Sequence, residues 1–194
     1  LYLKLMTGYN GMPQQEIRGN GCSAALNYNA GYGVGGALGY QLDFDGFYLF
    51  GEGEMALRHN NFDDGEEGGM TSEFPGWHEQ WSFMGNLGAG FALAESWNVY
   101  AGGGVGYSRG TFAIDTVGVR VSDRDWSFAW QGFAGVGYEV APGFTVGVEY
   151  RYFNAGDQDF SLAGTDLSAD YDSHSGLVTG KIEMGPLLRA FGAD

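Results

Sequence analysis

The stretch QGFAGVGYEVAPGFTVGVEYRYF, residues 131–153, decides the fold class of this chain. Its two halves flank Pro142-Gly143, and in each half side chains of different character alternate at every second position. In the second half, one set is apolar or aromatic and the other is charged: Val146, Val148 and Tyr150 against Glu149 and Arg151. Successive side chains of a β-strand point to opposite faces, so this alternation predicts two strands joined by a tight turn.

The same alternation recurs along the whole chain and predicts an all-β fold. Eight segments show it, at residues 2–10, 28–42, 46–59, 79–94, 97–110, 126–141, 143–154 and 173–185. Glycine supplies 36 of the 194 residues and recurs inside every segment after the first. Glycine disfavours a helix interior, and no stripe of apolar residues follows the 3.6-residue helical period, so the segments are predicted to be strands.

The connections between these segments alternate strictly between long and short. Three are tight, at residues 43–45, 95–96 and 142, and four are long, at residues 11–27, 60–78, 111–125 and 155–172. Transmembrane barrels of the outer-membrane type have an even number of strands, short turns at one end and longer loops at the other. We therefore expect an eight-stranded antiparallel up-and-down transmembrane β-barrel.

The alternation alone does not distinguish this barrel from a soluble one with its apolar face inside. Three long uncharged stretches, residues 80–94, 97–108 and 126–138, favour the membrane barrel, because strands in contact with water usually carry more charge. Arginine or lysine facing lipid near the bilayer midplane would cost about 2–4 kcal/mol. The charged face is therefore expected to form an ionic network in the lumen, from Glu52, Glu54, Arg58, Asn86, Gln131, Glu149, Arg151, Lys181 and Glu183.

Aromatic residues cluster near the ends of the predicted strands, as the two interfacial girdles of a membrane barrel require. The girdle residues are predicted to be Tyr9, Tyr40, Phe47, Trp81, Trp97, Tyr107, Trp126, Tyr138, Phe144 and Tyr152. Eight strands leave an interior just wide enough for side chains to fill it. The lumen is therefore expected to be plugged by the ionic network.

Residues 131–153 closely resemble the sixth and seventh strands of opacity-type and OmpA/OmpX-like small barrels, and similar strand–turn–strand units occur at residues 33–53 and 85–107. The resemblance spans nearly the whole chain. It implies an integral location in a bacterial outer membrane, assembly by the barrel-insertion machinery, and a role in envelope structure or surface adhesion. Because the last predicted strand ends near Gly185, we expect residues 1–185 to form the barrel and residues 186–194 to form a C-terminal tail on the periplasmic side.

The charge distribution points to the partners that this chain can have. A net charge of −15 disfavours nucleic acid. Ten of the 24 acidic residues lie in the loops at residues 60–78 and 155–172, without any lysine or arginine. Outer-membrane lipid and lipopolysaccharide are the expected surroundings, and protein neighbours with basic surfaces or a divalent cation are candidate partners of the two loops. The candidate ligands of such a cation are Asp63, Asp64, Glu66, Glu67, Asp157 and Asp159.

The sequence offers little catalytic chemistry, and no cofactor is expected. Gly31-Tyr-Gly-Val-Gly-Gly36 matches the dinucleotide fingerprint, but a strand follows where the fingerprint requires a helix. We therefore expect a non-enzymatic barrel that stiffens the envelope or presents its loops for surface contacts, alone or within a larger assembly. Two alternatives remain open: a lipid-modifying enzyme with a rim site near His174, and a narrow ion channel.

Overall fold

The structure of the protein is a computed structural model. The described residues are 1–12, 15–19, 22–28, 31–67, 70–114, 119–122, 126–162 and 165–185. Side chains are described for residues 1–12, 31–61, 77–111, 126–156 and 171–185. The predicted tail, residues 186–194, lies outside the described residues.

Eleven β-strands account for most of the described chain. In chain order they are β1 (Tyr2–Gly11), β2 (Gln15–Gly19), β3 (Cys22–Tyr28), β4 (Gly31–Asp43), β5 (Phe47–Glu67), β6 (Met70–Ala92), β7 (Trp97–Ile114), β8 (Val119–Ser122), β9 (Ser127–Ala141), β10 (Phe144–Leu162) and β11 (Thr165–Glu183). Among the described residues there is no helix with the length and apolar character needed to cross a bilayer.

Eight of these strands form a closed antiparallel barrel, which confirms the predicted fold class. The hydrogen-bonded order is β1, β4, β5, β6, β7, β9, β10 and β11. The first strand then pairs with the last along its whole length, from Tyr2 opposite Glu183 to Gly11 opposite His174. A closed barrel has no free edges, so every strand finds hydrogen-bond partners on both sides.

The segments predicted as long loops are largely β-structure, and this corrects the sequence-based boundaries. Strands β5 and β6 stay paired as far as Glu67 opposite Met70, and β10 and β11 as far as Leu162 opposite Thr165. Beyond the barrel these stretches no longer alternate apolar and polar residues, so the periodic signal ends before the strands do. We call the end with these extensions the hairpin end, and the opposite end, with the turns at residues 44–46, 93–96 and 142–143, the turn end.

The first connection folds as a β-hairpin that continues the barrel wall. Strand β2 pairs with β3 from Gln15 opposite Leu26 to Gly19 opposite Cys22. On one side β3 pairs with β5, and on the other side β2 pairs with β11 through Ser168 opposite Arg18. Strand β8 adds to the far end of β7. The wall of the barrel is therefore prolonged at the hairpin end.

Two kinds of glycine explain much of the glycine content. At the turn end, Gly46 and Gly143 have φ angles of 86° and 77°, in the left-handed region that favours glycine. On the inner face, a Cβ atom at Gly88 would collide with the ring of Phe50, and one at Gly104 with the amide oxygen of Asn86. Glycine at the second kind of position gives larger side chains on neighbouring strands the space to cross the narrow lumen.

Candidate functional site

Arg151 on β10 is the centre of a charged network inside the barrel. Its side chain is 1% exposed and lies between two carboxylates on opposite sides of the lumen. One terminal nitrogen donates to Glu54, while Nη2 and Nε donate to Glu149 Oε1 over 2.6 and 3.1 Å. A planar guanidinium suits such bridging because its five N–H donors are fixed in one plane.

Lys4 on β1 extends this network towards the turn end. Its ammonium lies 2.8 Å from Glu149 Oε2 and 3.6 Å from Glu52 Oε1. Tyr2 donates a hydrogen bond to Glu52, and Tyr100 donates one to Glu149. The sequence analysis missed Lys4, although the run Leu3-Lys4-Leu5 places it on the face opposite two apolar neighbours and would have identified it.

Two amides complete the coordination of Glu54. Asn86 donates to Glu54 Oε2 over 2.8 Å, and Gln131 donates to Asn86 Oδ1 over 2.8 Å and lies 3.4 Å from both oxygens of Glu54. Burying a carboxylate away from water is costly unless hydrogen bonds and opposite charges replace its hydration. Here Glu54 has an arginine and two amides as direct partners, with Asn86 closer than Gln131.

Arg58 on β5 lies nearer the hairpin end and has different surroundings. It is 3% exposed and donates one hydrogen bond, from Nη1 to Ser82 Oγ over 2.9 Å. Its guanidinium carbon lies 3.9 Å from the ring centroid of Phe153, a cation–π contact. Among the described residues, no carboxylate forms an ion pair with Arg58.

The nine residues predicted for the lumen network are therefore found in two places. Seven are buried inside the barrel: Glu52, Glu54, Arg58, Asn86, Gln131, Glu149 and Arg151. Lys181 and Glu183 lie at the turn end, with side chains 21% and 45% exposed and an ammonium–carboxylate distance of 3.7 Å. Lys181 also donates to Gln41 over 3.0 Å. These two residues border the mouth of the barrel, and Glu183 is too exposed to fill the lumen.

The space left beside the charged network is small. A cavity of about 40 Å³ lies beside Tyr2, Lys4, Glu52 and Lys181 towards the turn end. A second, of about 10 Å³, lies beside Arg58 and Arg151. A single buried water needs about 10–15 Å³ measured in this way. These cavities have room for a few waters or one small ion and do not admit a metabolite.

The outer face of the barrel is apolar between two rings of aromatic side chains. Val148, in the middle of this face, is 61% exposed, while Glu149 beside it in the chain is 2% exposed. The predicted girdle residues Tyr9, Tyr40, Phe47, Trp81, Trp97, Tyr107, Trp126, Tyr138 and Phe144 are exposed, and Tyr152 is half-buried. Tyr152 packs against Trp130 and His174.

The distance between the two rings matches a bilayer. Trp97 and Tyr107 lie on the outer face at opposite ends of the barrel part of β7. Ten positions of an antiparallel strand rise about 34 Å, and a strand tilt of about 40° reduces this to about 26 Å across the membrane. The apolar band of an outer-membrane barrel is about 25 Å tall.

The candidate catalytic residue His174 and its neighbour Ser175 point to opposite faces of β11. His174 is exposed on the outer face, and its Nδ1 atom lies 2.6 Å from the hydroxyl of Tyr150. Ser175 is buried in the lumen and donates to Asn10 Oδ1 over 2.6 Å. These two residues therefore cannot act together as a base and a nucleophile.

The candidate cation ligands, Asp63, Asp64, Glu66, Glu67, Asp157 and Asp159, have side chains outside the described residues. Where side chains are described, no three histidine, cysteine or acidic residues are grouped so that they would hold a metal ion.

A closed barrel with a charged interior, an apolar belt and aromatic rings at both edges defines a transmembrane β-barrel protein. The sequence of residues 4–176 matches the family model of the outer membrane protein beta-barrel domain, and the chain belongs to this family. It is an integral protein of a bacterial outer membrane. In such barrels the short turns face the periplasm and the longer connections face the exterior, so the hairpin end is extracellular.

Comparison with solved structures finds the same fold at low sequence identity. No curated protein matches the chain in sequence. The outer membrane protease OmpT of Escherichia coli matches with a TM-score of 0.55 and 10% identity, over 93% of this chain and 95% of that one. Neisserial surface protein A matches with a TM-score of 0.52 and 13% identity, over 93% and 96%. Ail, the attachment invasion locus protein of Yersinia pestis, in complex with a heparin analogue, matches with a TM-score of 0.41 and 15% identity, over 91% and 97%.

The expectation that this chain is not an enzyme is wrong as a conclusion from its fold. OmpT is a protease and has a barrel similar to this one. At 10% identity the similarity shows the fold alone and says nothing of OmpT's catalytic residues in this chain. Enzymes and non-enzymes share folds of this kind, so activity has to be decided by the site.

Proposed function

We propose that this barrel is an anchored platform that stiffens the outer membrane and presents acidic extracellular hairpins for contacts with basic surfaces. One observation carries the proposal: the paired strands β5–β6 and β10–β11 continue beyond the barrel, to Glu67 opposite Met70 and to Leu162 opposite Thr165. A connection of this length without internal pairing would be mobile, whereas paired strands hold their ends at a fixed place above the membrane.

The negative charge of these extensions indicates which kind of partner they would bind. Residues 60–78 and 155–172 contain ten acidic residues and no lysine or arginine. The β2–β3 hairpin is hydrogen-bonded to both extensions, to β5 on one side and to β11 on the other. A negative surface on a rigid support favours association with a positively charged partner, because few degrees of freedom are lost on binding.

The interior of the barrel favours a structural role over that of a pore. Arg151, Glu54 and Glu149 cross the lumen as one hydrogen-bonded group, and the two cavities above and below it measure about 10 and 40 Å³. A narrow ion channel would require this group to separate. The outer belt and its girdles support contact between the barrel and lipid, with lipopolysaccharide as the proposed neighbour in the outer leaflet.

The hairpin contact is tested by neutralising acids without changing their shape. In one variant Asp63, Asp64, Glu66 and Glu67 become Asn or Gln; in the control variant Asp43, Asp45, Glu95 and Glu139 at the turn end are changed in the same way. Both variants remove four negative charges. Cells that display each barrel are then measured for adhesion to a polylysine-coated surface, at low and at physiological ionic strength.

We expect the hairpin variant to lose adhesion and the turn-end variant to keep it, with the barrel folded in both cases as judged by heat-modifiable migration. Salt should weaken the adhesion of the unmodified protein, because screening is stronger at higher ionic strength. Equal adhesion of the two variants, both folded, would contradict the proposal.

A lipid-modifying activity at the outer rim is the second candidate, favoured by the short Tyr150–His174 contact on the lipid-facing side. Its test is incubation of purified barrel with labelled lipopolysaccharide, with and without His174→Ala. Product formation that disappears in this variant would establish the enzyme, and Ser175→Ala should leave it unchanged because Ser175 faces the lumen.

A further inference from the structure

One carboxylate oxygen of Glu52 lacks a hydrogen-bond donor among the described residues. The side chain of Glu52 is 2% exposed. Its Oε1 atom accepts a hydrogen bond from Tyr2 and lies 3.6 Å from the ammonium of Lys4, whereas Oε2 is buried and accepts none. A buried carboxylate oxygen without a donor is costly, so a further donor is expected at Oε2.

The cavity beside Glu52 adjoins a larger pocket at the turn end, which we call the mouth pocket. The inner cavity measures about 40 Å³ and the mouth pocket about 140 Å³. A water-sized group needs about 10–15 Å³, so the inner cavity has room for one ammonium group, and the mouth pocket has room for a short alkyl chain. Five residues line both spaces: Gln41, Tyr48, Asn98, Thr145 and Lys181.

The mouth pocket carries a negative charge. Glu95, Glu139 and Glu183 line it, and Lys181 is the one cation among the described residues that do so. Three carboxylates and one ammonium leave a formal charge of −2. Lys181 lies 3.7 Å from Glu183 and donates to Gln41, so its charge and its hydrogen bond are already engaged at the mouth. A pocket with this charge attracts cations from the periplasm.

The wall between Glu52 and the mouth suits an alkylammonium group. Aromatic faces attract such groups, and two lysines of the barrel already use them. The ammonium of Lys181 lies 5.2 Å from the ring centroid of Tyr2, and that of Lys4 lies 5.4 Å from the ring centroid of Tyr100. The aromatic residues of the two spaces are Tyr2, Tyr48, Phe50, Trp97 and Tyr100.

The distance from Glu52 to the mouth requires a long, thin ligand. Tyr48 lines both spaces and precedes Glu52 by four positions on β5. At about 3.4 Å per residue, four positions span roughly 14 Å along the strand, and a tilt of about 40° reduces this to roughly 10 Å along the barrel axis. A single small cation cannot contact both Glu52 and the acids of the mouth.

We infer that the turn end binds a linear diamine, with one ammonium group at Glu52 Oε2 and the other beside the carboxylates of the mouth pocket. An ammonium group has three donors, which suits an oxygen that lacks one. A bound water would also satisfy Oε2 but would leave the charge of the mouth pocket unbalanced. The two positive charges of a diamine match that charge. This site faces the periplasm and does not depend on the proposed hairpin contacts.

The experiment compares three probes of equal chain length on the unmodified barrel. Isothermal titration calorimetry measures the binding of cadaverine, n-pentylamine and pentanediol with a hydroxyl group at each chain end, to the barrel in nanodiscs of zwitterionic lipid. Empty nanodiscs are the control. We expect cadaverine to bind more tightly than n-pentylamine and pentanediol to show no binding. Cadaverine that binds no more tightly than n-pentylamine would overturn the inference.

Three variants locate the ammonium groups. Glu52→Gln should weaken cadaverine binding at least about tenfold, because it removes a charged acceptor from a buried position. Glu139→Gln at the exposed mouth should weaken it only about two- to fivefold. Glu79→Gln also removes one carboxylate, but Glu79 lines neither space, so the affinity should not change. If Glu52→Gln folds, as judged by heat-modifiable migration, and binds cadaverine as tightly as the unmodified barrel, the site is refuted.

A further measurement does not depend on a variant that folds. Nuclear Overhauser effects on the unmodified barrel should connect the methylene protons of cadaverine with the ring protons of Tyr48 and Tyr100. Tyr40 is on the outer face of the turn end and should show none. Contacts with Tyr40 alone, or with none of these rings while cadaverine binds, would place the diamine elsewhere and overturn the inference.

Discussion

Removal of Arg151 is the most informative perturbation of the lumen. Arg151→Met keeps most of the side-chain length but leaves Glu54 and Glu149 buried without their shared cation. Removing one partner of a buried ion pair typically costs about 3–5 kcal/mol. Glu149 retains Lys4 and Tyr100, and Glu54 retains Asn86, so we expect a value near the lower limit, about 3 kcal/mol. This corresponds to a change of roughly 150-fold in the unfolding equilibrium constant.

The assay is reversible urea unfolding in detergent micelles, followed by tryptophan fluorescence. The double variant Arg151→Met/Glu54→Gln should cost at least about 1 kcal/mol less than the sum of the two single variants, because it removes a buried charge together with its partner. Lys181→Met is the control: its partly exposed ion pair should contribute under about 1 kcal/mol. Additive effects, or a cost of Arg151→Met no larger than that of Lys181→Met, would refute the description of the lumen as an interdependent network.

Three further predictions test the faces of the barrel. Val148→Arg places a cation in the middle of the lipid belt and should destabilise the folded barrel in bilayers by about 2–4 kcal/mol. Val140→Arg is near the turn-end girdle and should destabilise it by only about 0–1 kcal/mol. Equal destabilisation by the two variants would contradict the assigned membrane position. Gly104→Ala should lower the urea midpoint, because its methyl group displaces the Asn86 amide, while Gly132→Ala on the open outer face should not. The unmodified barrel should migrate faster on a detergent gel before boiling than after it, and migration unaffected by boiling would contradict a closed membrane barrel.

The fold was predictable from sequence where contact with lipid imposes an alternation of apolar and polar residues. Within the bilayer every outward position must be apolar and charge is confined to the lumen, so residues such as Val148 and Glu149 alternate without exception over several positions. Beyond the girdles both faces of β5 and β6 are freed from this requirement. The strands continue to Glu67 and Met70 while the pattern stops, so sequence reasoning assigned loops there.

The sequence predicted which residues belong to the candidate site better than it predicted which of them are in contact. Alternation identified Glu54, Glu149 and Arg151 as residues of one face, but which of them meet depends on the register between strands far apart in sequence. Arg58 illustrates the limit, because the same alternation placed it among paired charges, whereas its position along β5 leaves it near Phe153 and Ser82. Lys181 and Glu183 depend similarly on where the barrel ends.

The β2–β3 hairpin sets a condition on the order in which the molecule matures. The hairpin lies near the amino terminus and is synthesised early, but β2 pairs with β11, the last strand, through Arg18 opposite Ser168. Its final hydrogen bonds therefore cannot form until the carboxyl-terminal strand has arrived and closed on β1. Before the barrel closes, the β2 edge of this hairpin has no strand to pair with. Hydrogen bonds between β2 and β11 therefore indicate that the barrel has closed.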